Sequence, residues 1–346
     1  MNEQESNPIV SIIVPARNEE RFLGKCLESL LAQTYPPDRS EIIVVDNLST
    51  DNTHAIAEFY AARDPRIRVL TCGGPNQATG MNAGIAAAKG TLISRVDAHG
   101  YVEPDYVARV VAAFARHPRA VAVGGPYFPA CDGLIERVAA VARSSRFGVG
   151  GSWYSDKGIE EHTVRTVGCP TYRRDAVLAA GLFDPAMEYG EDDELNWRMF
   201  HSGGEIVFVP GVRQYNRPRA TLTALAVQYW NYGRGRVRVV AKHPGYLLPR
   251  HLVPSLFVVT LIFLAVSAGL FPTMRIILGA FLLIYTLPLL TVGLAATRHG
   301  WREALLVPIA VSLIHTSYGT GMLCQAACFR MRKAQASSHP WKTVSW

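Results

Sequence analysis

At 346 residues, with 49% apolar residues and a net charge of +7, the chain is long enough for two domains or for one domain with an appendage. Its basic residues cluster between Arg213 and Arg250 without a nucleic-acid recognition motif, which sets that partner aside and favours an anionic membrane surface or a diphosphate. Six cysteines, Cys26, Cys72, Cys131, Cys169, Cys324 and Cys328, form no CxxC pair, so they read as reduced or buried thiols rather than a zinc site.

The start, Met1-Asn2-Glu3-Gln4-Glu5, lacks the basic and apolar regions of a signal peptide, so the catalytic part is expected in the cytosol. Val10 to Val14 is a short apolar strand stopped by Pro15. Phe22, Leu23, Cys26, Leu27, Leu30 and Leu31 then repeat at helical spacing, and Tyr35-Pro36-Pro37 ends that helix. Glu41 to Asp46 is a second strand, after which Ser49 and Thr50 offer N-caps to a helix reaching about Ala62. Ile67 to Leu70, Leu92 to Val96 and Ala120 to Val123 read as three more strands. Between them lie an Ala-rich helix, Ala78 to Ala88, and one opened by Glu103-Pro104-Asp105 that reaches about Arg116. Nearly continuous apolar strands separated by helices predict an α/β domain with a mostly parallel sheet covered on both faces. Residues 126–170, rich in Gly, Ser and aromatics, read as an irregular substrate loop. Leu178 to Phe183 and Gly190 to His201 read as helical or turn-like, and Ile206 to Val209 as the last strand.

From Val253 to Phe329 charges become sparse. Leu252 to Leu270 and Ile276 to Ala296 each suit the thickness of a bilayer and predict a transmembrane hairpin. Ala304 to Phe329 is a third apolar segment, weakened by His315, Thr316, Ser317, Gly319 and Thr320. A third crossing would place Arg330, Arg332, Lys333 and Lys342 outside, against the positive-inside rule. The expectation is therefore an interfacial or re-entrant third segment and a cytosolic tail. The domains are expected to be 1–218 (catalytic), 219–250 (basic-aromatic interface helix), 251–330 (membrane) and 331–346 (basic tail).

Five stretches carry chemistry. Pro15-Ala16-Arg17-Asn18-Glu19 follows strand one, where a polar loop suits a nucleotide or simply starts a helix. Asp46 ends strand two, where an acid can accept hydrogen bonds from a base or ribose. Asp97-Ala98-His99 ends strand four as a metal-ligand pair or a helix cap. Glu191-Asp192-Asp193-Glu194 is either a helix start with dipole-complementing acids or the home of a general base. Gln228-Tyr229-Trp230-Asn231-Tyr232-Gly233-Arg234-Gly235-Arg236 interleaves aromatics and arginines, as a sugar and diphosphate site or a membrane-surface helix.

Taken in order, SIIVPARNEE, VVDNLSTDNT, the Gly80-Met81-Asn82-Ala83-Gly84 helix start, SRVDAHG, GEDDELNWR and QYWNYGRGR resemble a family 2, GT-A-fold inverting glycosyltransferase. The resemblance spans about residues 9–240 and is closest to the membrane-associated succinoglycan/exopolysaccharide type. It implies a Rossmann-like GT-A domain followed by transmembrane helices. It further implies that Pro15, Arg17, Glu19, Asp46 and Asp97 bind the nucleotide-sugar, here taken as a UDP-sugar, and that Asp192 is the base. Asp97 matches the first acid of the family's Asp-x-Asp motif, and His99 stands where the second coordinates Mg²⁺ or Mn²⁺. Mn²⁺ is favoured because imidazole is a softer ligand than carboxylate. Glu191, Gln228, Trp230, Arg234 and Arg236 are assigned to the acceptor and diphosphate. The Gln-x-x-Arg-Trp motif of processive relatives is not reproduced. The expected acceptor is an undecaprenyl-diphosphate saccharide, and the expected location is the inner (plasma) membrane, multi-pass, with the catalytic domain cytosolic. The alternatives are transfer to polyprenyl phosphate or another lipid, and an inactive carbohydrate-binding scaffold of an export complex.

Overall fold

A computed structural model describes residues 9–149 and 160–338. The acidic start Met1 to Glu5, the middle of the expected substrate loop and Lys342 of the tail lie outside the described residues. The elements run β1 (Val10–Ala16), α1 (Leu23–Leu31), β2 (Ser40–Asp46), α2 (Thr53–Ala61), β3 (Ile67–Thr71), α3 (Gln77–Ala87), β4 (Leu92–Arg95), β5 (Gly100–Val102), α4 (Tyr106–Arg116), β6 (Ala120–Gly124) and β7 (Tyr127–Pro129). Next come α5 (Leu134–Ser144), α6 (Arg146–Val149), β8 (His162–Val164), β9 (Thr171–Arg173), α7 (Arg174–Ala179), α8 (Glu191–His201), β10 (Glu205–Phe208) and β11 (Gln214–Asn216). The long helices α9 (Leu222–Lys242), α10 (Pro249–Leu270), α11 (Pro272–Ala296) and α12 (Trp301–Ser338) follow. The chain forms two compact units, Met1–Ala130 with Trp153–Pro218, and Cys131–Ser152 with Arg219–Trp346.

The first unit is built on an eight-stranded sheet in the order β3-β2-β1-β4-β9-β6-β10-β8. Side chains alternate across β1, so Ile12 and Val14 join one core with Leu27, Leu30 and Val110, while Ile13 joins another with Met81, Ile85 and Ile93. Both faces are therefore buried, which is why β1 and β2 read as unbroken apolar runs. Gly84 permits the close approach of α3 to the sheet, since a Cβ there would lie 2.6 Å from Cγ2 of Ile13. β1 is parallel to β2 and β4, and β2 to β3, so their carboxyl ends share one edge. A small second sheet has the order β5-β11-β7.

Several local expectations change. β9 sits antiparallel between β4 and β6, so the sheet is mixed at its centre. With three residues, Thr171-Tyr172-Arg173, it carries no apolar run to announce it. Residues 126–170 are not wholly irregular, since they contain β7, α5, α6 and β8. Ile206 to Val209 is not the last strand, because β11 follows. The helix expected at Leu178 to Phe183 is α7, which ends at Ala179. Gly80 to Gly84 lie inside α3, whose N-cap is Asn76, accepting from the Thr79 amide. Ser49 and Thr50 do not cap α2; they bond to Asn18 across the edge.

The second unit has its own core, in which Val138, Ala139 and Ala142 of α5 join Leu225 of α9, Leu289 of α11 and Val307, Val311 and Ile314 of α12. Arg137 donates to the buried carboxylate of Glu303 at 2.8 Å. α9 and α12 meet backbone to backbone: a Cβ on Gly233 would lie 2.2 Å from the Tyr318 carbonyl oxygen, and one on Gly321 2.2 Å from that of Trp230. Pro249–Leu270, Pro272–His299 and Trp301–Phe329 are each long and apolar enough to cross a membrane. The outward residues of α10 and α11 include Phe263, Val266, Ile276 and Ile284, each more than 60% exposed. The re-entrant form expected for the third segment is not what the chain adopts: α12 is one unbroken 38-residue helix without reversal.

Candidate active site

The site is assembled at the carboxyl edge of β1, β2 and β4. The loops after β1 and β2 are laced together. The Asn18 amide donates to Ser49 Oγ at 2.9 Å, Thr50 N to Asn18 Oδ1 at 2.8 Å, and Glu19 N to Thr53 Oγ1 at 2.7 Å. These bonds hold Asn18 and Leu48 at φ of 57° and 51°, a left-handed backbone that side chains disfavour. Pro15 remains inside β1 opposite Val45, and Arg17 is exposed. Asp46 is buried, with one carboxylate oxygen accepting from Ser49 N at 3.1 Å and the other 3.1 Å from His54 Nδ1.

Asp97 follows β4 and sits among donors. Its Oδ1 accepts from Arg95 Nε at 3.0 Å and Gln77 Nε2 at 3.3 Å, and its Oδ2 from Asn216 Nδ2 at 3.3 Å and the Cys169 thiol at 3.6 Å. Burial alone would raise this carboxyl, but Arg95, then His99 and the hydrogen bonds, outweigh it and bring it down to about 2. Asp97 is thus a carboxylate at neutral pH. His99 turns Nδ1 toward Glu19 Oε1 at 3.0 Å, so any metal bond from this ring runs through Nε2, with Glu19 orienting it from behind.

The acid run forms the first turn of α8, entered through Gly190 at φ 79°. Glu194 turns inward to Arg198 at 2.7 Å, whereas Asp193 accepts from the Thr166 hydroxyl at 3.0 Å. Asp192 is half-buried. Burial, then the neighbouring charges of Glu191 and Asp193, push it up to about 7, and Arg95 opposes them. The acid expected to be the base therefore exchanges its proton near neutral pH. Arg95 joins the two ends of the site. Its Nε meets Asp97, and its Nη1 meets Glu191 Oε1 at 3.2 Å.

The structure brings Glu19, Asp97, His99, Glu191 and Asp192 into one connected edge. Gln228, Trp230, Arg234 and Arg236 lie on α9 in the second unit. There Gln228 donates to Tyr232 at 2.9 Å, Arg234 to Gln325 and Arg236 to Tyr318, both at 3.3 Å. Sequence reasoning missed Arg95, although an arginine in the run Leu92-Ile93-Ser94-Arg95-Val96 was a visible sign of a buried, paired cation. Gln77 and Asn216 gave no comparable sign, because they reach Asp97 from distant elements.

Among the described residues no three His, Cys, Asp or Glu side chains gather as a metal site. Asn216, whose Nδ2 reaches Asp97, also carries a buried Oδ1 with no hydrogen-bond partner among the described residues. This short donor set fits a divalent cation that draws the rest of its shell from water and substrate phosphate.

The fold has a solved counterpart. A mannosyltransferase from Pyrobaculum calidifontis, solved with GDP-Man and Mn²⁺, superposes over 97% of this chain and 83% of its own, with a TM-score of 0.54 and 18% identity. The first unit, a mixed sheet with Asp46 and Asp97 at the carboxyl edge of its parallel strands, has the GT-A fold. The sequence profile of Glycosyl transferase family 2 matches residues 11–177. The Succinoglycan biosynthesis protein ExoA of Rhizobium meliloti (strain 1021) is 30% identical over 254 residues, which are 71% of this chain and 76% of that protein. A dolichyl N-acetylglucosaminyl phosphate glucuronosyltransferase of Methanococcus voltae is 28% identical over 78% of this chain and 88% of its own. The chain belongs to glycosyl transferase family 2, and it is a transferase.

Proposed function

We propose that this enzyme is an inverting hexosyltransferase acting at the inner membrane. It moves a sugar from a nucleotide-sugar, taken as a UDP-sugar, to a lipid-linked saccharide in exopolysaccharide or cell-surface glycan synthesis. The observation that carries this reading is that Arg95 joins Asp97, at 3.0 Å, to Glu191, at 3.2 Å, and so sets the Asp97 loop beside the helix turn that bears Asp192. Succinoglycan synthesis in the name of one relative and a lipid-phosphate acceptor in that of another support the pathway type and the lipid link.

In this mechanism the loops after β1 and β2, with Pro15, Arg17, Glu19 and Asp46, bind the nucleotide. Asp192 takes the proton of an acceptor hydroxyl as its oxygen attacks the anomeric carbon. The bond from that carbon to the diphosphate breaks on the opposite face, so configuration inverts. A divalent cation, when bound, neutralises charge on the leaving diphosphate, with Asp97, His99 and the Asn216 oxygen available to hold it. Arg234 and Arg236 are assigned to the acceptor diphosphate. Residues 1–130 and 153–218 form the catalytic domain in this reading, 219–250 the interface helix and 251–330 the membrane domain, with 131–152 belonging to the helical unit and the catalytic side cytosolic. The acid at Asp192 argues against an inactive scaffold. The name of the Methanococcus voltae relative favours a second reading, in which the acceptor lipid carries one phosphate rather than two. Membranes containing the enzyme should be offered a panel of UDP- and GDP-sugars, with mass spectrometry of the lipid fraction. A glycan on a lipid diphosphate supports the first reading and one on a monophosphate the second. Failure of every donor would remove both.

A further inference from the structure

Arg95 is not accounted for by binding or by proton transfer. Its side chain is 7% exposed, and a guanidinium so deeply buried is strongly destabilising unless carboxylates surround it. It has two, and they come from different parts of the fold. Asp97 belongs to the loop after β4, and Glu191 is the first residue of α8. The same guanidinium is therefore a strut between the donor side of the site and the turn that carries Asp192.

The charges around Asp192 are unbalanced without it. On its own helix it faces the carboxylates of Glu191 and Asp193. From β9 and the preceding loop come the hydroxyl of Tyr172 and the thiol of Cys169, both held in their neutral forms by burial. Arg95, from β4, is the cation that opposes those acids. A positive charge lost from such a cluster moves the neighbouring carboxylate toward its protonated form, and a negative charge lost moves it the other way.

We propose that Arg95 is the positioning residue of the base: through Glu191 it pins the first turn of α8 to the Asp97 loop, and its charge sets the pH at which Asp192 can accept a proton. This rests on Asp192 acting as the base. The role is thus both mechanical and electrostatic, and the two can be separated. Arg95→Met removes both strut and charge. Arg95→Lys keeps the charge but loses the two-pronged contact. Glu191→Gln removes an acid beside Asp192 and half of the strut.

The test is the pH dependence of turnover at saturating donor for the full-length enzyme and these variants. It is paired with infrared detection of the protonated carboxyl band in substrate-free protein, assigned by its loss in Asp192→Asn. The acid limb and the infrared midpoint should both move up by about one pH unit in Arg95→Met and down by about one unit in Glu191→Gln. In Arg95→Lys the midpoint should stay near that of the parent while kcat falls. If Arg95→Met does not fold, Arg95→Gln, which keeps a hydrogen-bonding side chain without charge, should give the same upward shift. A parent enzyme with neither limb nor titrating band would reject Asp192 as base. A limb that is present but unmoved in Arg95→Met and Arg95→Gln, or moved in Arg95→Lys as far as in Arg95→Met, would overturn the role of Arg95 alone.

Discussion

Asp192 exchanges its proton near pH 7 because burial, Glu191 and Asp193 oppose its charge more than Arg95 relieves it. Two consequences follow with opposite signs. Turnover should rise with pH until Asp192 is ionised and fall below about 7, and Asp192→Asn should lower the rate on the order of 10²–10⁴-fold in a transfer assay. Stability should run the other way. Between the ordinary aspartate range and about 7 the folded chain holds a proton that the unfolded chain releases, so folding weakens as pH rises through that window. Asp192→Asn should therefore raise the melting temperature at pH 8 more than at pH 4. The gain is on the order of 2 kcal/mol, after discounting for the water that reaches this half-buried group. A variant that is inactive and no more stable would contradict the charge crowding described for α8. Asp97, held at about 2, contributes stability above the ordinary aspartate range that is lost only as pH falls toward 2. At the metal side, chelator-stripped enzyme should regain more activity with Mn²⁺ than with Mg²⁺, and His99→Ala should abolish that preference. Equal recovery with both metals would leave His99 without a ligand role. The acids themselves were legible from their places at strand and helix ends. Their opposite ionisation was not, because it depends on a guanidinium whose reach to Glu191 exists only once β4 and α8 are packed.

The elements with strong periodicity were readable in advance. In α1 the spacing of Leu23, Cys26, Leu27 and Leu30 marks the face that is buried. What escaped were three-residue strands such as β9 and β11, whose pairing rests on neighbours far along the chain. α9 illustrates a different limit. Its aromatics and arginines suggest a surface helix, yet Gly233 and Gly321 let its backbone touch that of α12. Replacing either glycine with leucine would force these helices apart, with an expected loss of about 3 kcal/mol, read as a lower melting temperature in detergent. An unchanged melting temperature would mean that the two helices pack less closely than the structure has them.

At the scale of the molecule, α12 is long enough to cross a bilayer, but basic residues follow its apolar part. By the positive-inside rule that end is expected in the cytosol. A cysteine at Ser337 should then react with an impermeant reagent in inside-out vesicles and not in intact cells; the reverse would make α12 a third crossing. The placement of α5 bears on how the enzyme is handled. The chain leaves its first unit after Ala130, contributes Val138, Ala139 and Ala142 to the helical core, and returns before leaving again at Pro218. A truncation at Pro218, the obvious cut for a soluble fragment, would strip these side chains of their partners and strand an oily helix in water. Such a fragment should aggregate. One in which residues 131–152 are also replaced by a flexible linker should stay monodisperse by size-exclusion chromatography, so the useful excision is of two pieces rather than one.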